Sequence, residues 1–485
     1  MRKLVMIVIV LTILIGVGIG VWYFVFTKPI RPVEPVRSTL DSTLIVPVST
    51  IRIPIEFQLQ DLEKMVNTKL KGIFIKEWIA VGDKKKDSIH LELERTNPIR
   101  FTWIPGVISA KVPLRISFLF RKRTAGIRIQ NDKPIVAEVI LHLKSKVKLD
   151  DRWGINSTTI LEGIVWEMEP SIKIAFVNVN LRKIADNYLE KNQSKITHKF
   201  DSLSHELLDT RKVVEKIWND IQKPIILKKT NPQIGLSAHA EELMLRWNTN
   251  PLGNITGMVT LKAKVYSWFE EPEVFKIAPL PKHKYAEKAD ESLDLFVLAK
   301  LPYDKLNSLT NKNIEKIIYT YESYTIGIRD AEFYGSEQEL ALMMRVKGAL
   351  RGKVYLRAQP YFDTLTQVVG LRNLRYDLNT EEALLNTADW MLHDKLISIL
   401  ADAVKKDISE ELNGLPKLIE QGVAKGKSGQ KMTLTVDSLA VTSYASLITR
   451  RDIQWIFRAR GKAGIALDKN ILKGKSQRKK PLKKR

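Results

Sequence analysis

Histidine and the paired carboxylates are the residues here whose types could do chemistry, and their spacing argues against it. The 485-residue chain has seven histidines and no cysteine. Any zinc site would therefore need imidazole and carboxylate ligands alone, and no His-Glu-x-x-His or close His-x-His group exists. His198 and His205 lie seven apart on one expected helix, too far for a simple shared-metal pair, and His393 in WMLHDKL reads as an ordinary helix histidine. A Gly-x-Ser-x-Gly nucleophile elbow is absent, as is a Walker phosphate loop. Gly348 and Gly352 in KGALRGKV sit among strand signals, where glycine marks a bulge or tight turn rather than a phosphate cradle. Asp150 with Asp151, and Glu241 with Glu242, read as solvated turns, because nothing gives them the separation that glycosidase chemistry demands. The expectation is a chain without catalytic constellation, metal or cofactor.

A repeated phrase organises the elements that remain. PIEFQLQDLEKMVNTKL (54–70) and LAKLPYDKLNSLTNKNI (298–314) share a grammar of strand turning into helix, and Phe57, Leu62, Met65 and Asn67 fall on Leu301, Leu306, Leu309 and Asn311 at a constant offset of 244. AHAEELML (238–245) echoes LTVDSLAV (434–441) at an offset of 196. Two echoes in the same order point to an internal duplication.

The chain ends are unlike its middle. Arg2 and Lys3 precede an uncharged run from Leu4 to Phe26, long enough at ~1.5 Å per residue to cross a ~30 Å hydrocarbon core. A transmembrane signal anchor over 1–27 is expected; a cleaved secretory signal is the alternative, though its apolar region is usually only ~7–15 residues. Orientation by charge is nearly balanced, and a short amino-terminal tail before a large body places that body in the periplasm of a single-pass inner-membrane protein. Prolines 29, 32 and 35 make 28–42 an extended stalk that stands the body off the membrane. At the other end Lys473, Lys475, Arg478, Lys479, Lys480, Lys483, Lys484 and Arg485 carry positive charge with no acid between them, in a chain of formal charge +24. Residues 467–485 read as a basic disordered tail. Contact with anionic headgroups or envelope polymers is its sharper use, and a body outside the cytoplasm disfavours nucleic acid.

Between the ends, composition suggests a first module over 43–267, a proline-containing linker over 268–291, and a second module over 292–466. Alternation marks strands: Ala137, Val139, Leu141 and Leu143 against Glu138, His142 and Lys144 describe one buried face and one wet face. Similar patterns occupy 113–122, 171–179, 243–247, 352–362 and 367–378. Helical spacing runs from Leu181 through Leu207 and on to Ile221, with a break near Asp209 or Thr210. A second stripe follows the Asn379–Glu382 capping pair and stops at Gly414 and Pro416. The expected fold is α+β: an N-terminal transmembrane helix, then two tandem modules of long curved antiparallel sheet wrapped on a long helix.

STLIVPVSTIRIPIEFQLQDLEKMVN, with Gly352, Val354 and Leu356, then Pro360, Tyr361 and Asp363, then Asp377, Asn379 and Trp390, resembles a bacterial envelope family, domain of unknown function 4403. Many relatives begin with a lipoprotein signal, from which this cysteine-free chain departs. The family is similar to tubular lipid-binding proteins of the bactericidal/permeability-increasing type, and that resemblance implies a twisted sheet wrapped on a helix with an acyl chain in the gap. It supplies no catalytic residues.

The resulting expectation is a non-catalytic, membrane-anchored envelope protein that binds lipid or another hydrophobic ligand. Its candidate groove is formed by Leu392, Leu396, Ile399, Leu400 and Ala403 facing Val354, Leu356 and Ala358. The same faces could meet as a solid core, leaving a scaffold or adaptor with a basic surface and no cavity.

Overall fold

The computed structural model describes residues 13–17 and 31–467, except 82–86, 125–126, 132, 171–172, 175–176, 179–180, 208–209, 230–232, 249–253, 273–274, 289, 313, 315–317, 322–323, 349, 386–396, 399, 403 and 426–431. Three sheets dominate. The N-terminal sheet is an antiparallel meander of Ile73–Val81, Asp87–Arg95, Val107–Thr124, Ile135–Leu149 and Ile155–Met168, with Arg100–Ile104 and Ile127–Gln130 paired to its long third strand. The C-terminal sheet runs through Ile318–Tyr321, Tyr324–Ser336, Glu339–Gly348, Gly352–Asp363, Val368–Tyr376 and Lys406–Asp407. Between them lies a central sheet ordered Ile225–Lys228, Ile234–Asn248, Ile255–Phe269, Ser49–Phe57, Ser292–Pro302, Asp452–Leu467, Met432–Ile448, with Lys284–Tyr285 beside Ile234–Asn248.

That central sheet overturns the expected α+β pair of sheet-on-helix modules. It draws strands from both sides of 268–291, so the halves share a layer instead of standing in tandem. The chain is mostly strand: Val107–Thr124 has 18 residues, whereas the helical stretch over 181–221, expected with one break near Asp209 or Thr210, is three pieces, Leu181–Lys191, Gln193–Leu207 and Thr210–Ile221. The expected transmembrane helix is corrected as well. Only residues 13–17 of the apolar run are described, as helix, and among the described residues no helix is long and apolar enough to cross a membrane.

Local chemistry explains two further departures. The helix after Tyr376 is capped two residues before Asn379, by Asp377, whose backbone oxygen accepts from Thr380 and Glu381 and whose carboxylate accepts from the Asn379 amide. Ser409–Ala424 runs through Gly414 and Pro416 instead of stopping there. An interior proline costs a helix ~3 kcal/mol. Here the helix is docked on the central sheet, where Glu420 accepts from the Val436 amide at 2.8 Å and Ile419 packs against Leu293, Val436 and Ala463.

The duplicated phrases take the same form twice. Ser49–Phe57 enters the helix Leu59–Lys69, and Ser292–Pro302 enters Tyr303–Asn311. In the first helix the Asn67 amide donates to Ile99 O at 3.0 Å and accepts from Ile99 N at 2.8 Å, while Glu63 accepts from Phe101 N at 2.9 Å. In the second, Asn311 makes the same pair with Ala331, at 2.8 and 2.9 Å, and Asn307 the same with Phe333, at 3.1 and 2.7 Å. One turn apart on a helix, two side chains thus satisfy alternate residues of a strand edge. They stand in for a missing neighbouring strand, which an open edge would otherwise recruit from elsewhere.

The proline-rich segment does not stand free. Pro35, Ser38 and Val46 are buried, and residues 31–48 strap across the C-terminal and central sheets. Ser38 N donates to Gly335 O at 2.8 Å, Ser336 Oγ to Val36 O at 2.8 Å, and Arg450 N to Leu40 O at 2.7 Å. Arg37 bonds Glu332 at 2.8 Å and lies over the Tyr334 ring at 4.2 Å.

Candidate functional site

A cavity opens at each end of the central sheet, where it meets an end sheet. Phe57, Leu62, Ile108, Val147, Ile255 and Val259 contribute to the wall of the N-terminal one. Leu301, Leu306, Leu340, Pro360, Ile453 and Phe457 contribute to the wall of the other. These are equivalent positions, because the ladders match: Phe57 pairs with Ile255 as Leu301 pairs with Ile453, and Trp103 pairs with Ile108 as Gly335 pairs with Leu340. The duplication therefore copied a cavity along with a fold.

The copies differ in size, about 260 Å³ against about 580 Å³. Three indoles, Trp103, Trp153 and Trp247, line the smaller cavity, with Trp103 edge-on to Trp247 at 5.7 Å. Val213, Val214 and Ile217 of Thr210–Ile221 line it too. In the C-terminal half the position equivalent to Trp103 is Gly335, where a Cβ would stand 2.3 Å from Thr449 O. Tyr303 packs beside Gly335, its hydroxyl donating to Thr449 O at 3.2 Å, and burial pushes its phenol well above the usual tyrosine range. The walls are otherwise mostly apolar and suited to dispersion contacts; Glu56 in the smaller cavity and Lys300 in the larger are the charged residues among their linings. Among the described residues no three His, Asp or Glu side chains meet as a metal site requires.

Of the residues singled out in sequence, Leu400 is buried and lines the larger cavity. Val354, Leu356 and Ala358 are buried on the inner face of the C-terminal sheet, and Val354 and Leu356 pack in its core without lining the cavity. Leu392, Leu396, Ile399 and Ala403 lie outside the described residues, as does the basic stretch Lys473 to Arg485. Phe57, Leu62, Leu301 and Leu306 stand out in the sequence only as repeat markers; their coincidence across the duplication is the available signal for the cavities. Of the carboxylate pairs, Asp150 closes a hairpin by accepting from Arg152 N and Gly154 N, while Glu241 and Glu242 pair with Lys264 and with Lys262 and Lys284. His198 is exposed on its helix, and His393 is outside the described residues.

No curated protein matches the chain. Among solved structures, a crystal structure of lipopolysaccharide binding protein aligns with 87% of this chain and 99% of its own, at 10% identity and a TM-score of 0.32. P47 from Clostridium botulinum A2 aligns with 86% and 97%, at 10% identity and a TM-score of 0.22. Scores this low carry no argument about fold or ligand. At the level of sequence the match is direct: the family model described as Domain of unknown function (DUF4403) covers residues 47–467, and the chain belongs to that family.

Proposed function

We propose that the protein is a non-catalytic binder of elongated apolar ligands, lipid acyl chains foremost, with the larger C-terminal cavity as the principal site. One observation carries this reading: duplicated positions line an apolar space in both halves. Protein interiors pack to a density of ~0.75 with few voids larger than a water molecule. The larger cavity, about 580 Å³, lies within the ~300–1,000 Å³ typical of ligand sites. Left dry and closed, such a volume would forfeit ~14 kcal/mol, comparable with a whole domain's stability. An apolar occupant removes that cost. Work outside the cytoplasm belongs to the same proposal and follows from the sequence reading.

Native mass spectrometry and solvent extraction of the purified chain test it, beside Leu301→Trp. Leu301 is half-buried at the cavity wall. The parent is expected to carry lipid, and Leu301→Trp to lose it while unfolding within ~1 kcal/mol of the parent. A lipid-free parent together with an overpacking loss of ~1–3 kcal/mol in the variant would show a solid core and end the proposal.

A further inference from the structure

On the opposite face of the C-terminal sheet from the larger cavity, a second and chemically different depression lies between that sheet and the N-terminal strap. Its volume is about 850 Å³, and its lining includes Arg31 from the strap and Arg329, Arg345, Arg351 and Lys353 from the sheet. One carboxylate, Glu34, shares the lining, and it is already engaged by Arg37 at 2.8 Å. Arg345 bonds Asp330 at 2.8 Å, whereas Arg31, Arg329, Arg351 and Lys353 make no ion pair with any described residue.

Three features show that these cations are held together by the fold. Arg345 and Lys353 face each other directly across the ladder, an arrangement of like charges that destabilises a sheet unless something lies between them. The register slips between Ile328 and Asp330, leaving Arg329 in a bulge outside the ladder. A bulge re-aims a side chain at the cost of a ladder position, and here Arg329 and Asp330 are both outward while Ile328 stays buried. Gly348 and Gly352, with φ of +105° and +132°, bracket the turn that carries Arg351. They adopt a backbone closed to other residues. Beneath, Tyr334 and Tyr355 pack with Ala341 and Met343 as a buried floor, over which Arg37 lies.

We propose that this groove binds a phosphate-bearing anion. Four of its five cations are arginines, whose planar guanidinium groups match phosphate oxygens two at a time. A phosphate between Arg345 and Lys353 would also relieve their repulsion. The strap closes one side, which suits a compact group better than a long polymer. The site needs no occupant in the apolar cavities.

Titration of the full-length protein with inorganic pyrophosphate tests the site, followed by flotation with phosphatidylcholine vesicles with and without phosphatidylglycerol. Arg329→Gln/Arg351→Gln is expected to weaken binding at least tenfold and Arg31→Gln several-fold. Lys133→Gln/Arg152→Gln, which removes the same charge from exposed positions elsewhere, is expected to leave it within twofold. Since Arg329 and Arg351 have no ion pair to lose, their variant should unfold as the parent does. Binding to phosphatidylglycerol vesicles but not pyrophosphate assigns the groove to lipid headgroups, and the converse assigns it to soluble phosphates. Binding of neither probe, or equal weakening in the control variant, overturns the proposal.

Discussion

Replacing Asn311 by alanine tests whether the helix entering each end sheet seals a strand edge. The substitution removes the side-chain donor to Ala331 O and acceptor from Ala331 N, at 2.8 and 2.9 Å, and leaves both backbone groups of a buried residue without a partner. Each unsatisfied buried group costs ~1–3 kcal/mol. Asn311 is itself exposed, so water recovers part of the loss and the expected total is ~2–3 kcal/mol. Hydrogen exchange reads this locally, without requiring the chain to unfold as one unit. At ~1.4 kcal/mol per tenfold, the Ala331 amide should exchange roughly 30- to 140-fold faster. Asn311→Asp keeps the acceptor and should restore much of the protection at that amide. Asn67→Ala should act alike on Ile99, since the geometry is repeated there. Exchange at Ala331 within twofold of the parent would refute the edge-sealing argument.

Two other outcomes follow from single positions. His283 is wedged edge-on between Trp153 and Tyr285, at 4.8 Å from each, and burial lowers its pKa from the ordinary 6.5. The unfolded chain therefore takes up that proton first. Stability should be intact above pH ~6.5 and fall as the pH drops toward the folded value, and urea midpoints of His283→Phe should lose this component of the slope. Gly348→Ala should destabilise by ~2 kcal/mol or more, because φ is +105° and the new Cβ would meet Thr325 O at 2.0 Å. Gly72→Ala, with φ of +75° but nothing within 4 Å, should cost ~1 kcal/mol, and equal losses in the two variants would show that steric contact is not the cause.

Strands were legible where one face is dry. Ala137, Val139, Leu141 and Leu143 alternate in sequence and are all essentially inaccessible. The strand–helix phrase was legible because duplication printed it twice. The central sheet was not, since Ser49–Phe57 pairs with residues 198 or more positions away, and no local pattern records which remote strand will be a neighbour. The strap was misread for a related reason: proline spacing predicts an extended chain but not what it lies against. As for the site, the apolar helix stripe pointed toward the C-terminal cavity through Leu400. The walls, however, are assembled mostly from strand residues of two sheets, which converge only after folding.

At the middle of the central sheet, Thr50 pairs with Asp294, and 294 is the position that the 244-residue offset assigns to residue 50 itself. A residue that meets its own counterpart sits on a two-fold axis, and outward from it the next two strands match in order, Ile255–Phe269 and Ile234–Asn248 on one side, Asp452–Leu467 and Met432–Ile448 on the other. That is the signature of an isologous interface, the kind by which two identical subunits form a closed pair. Joining two such subunits end to end would leave this sheet as their former interface. It would also free each half from the requirement to stay identical: one could fill its cavity with indoles while the other kept its space, an asymmetry that no homodimer built from a single sequence can encode.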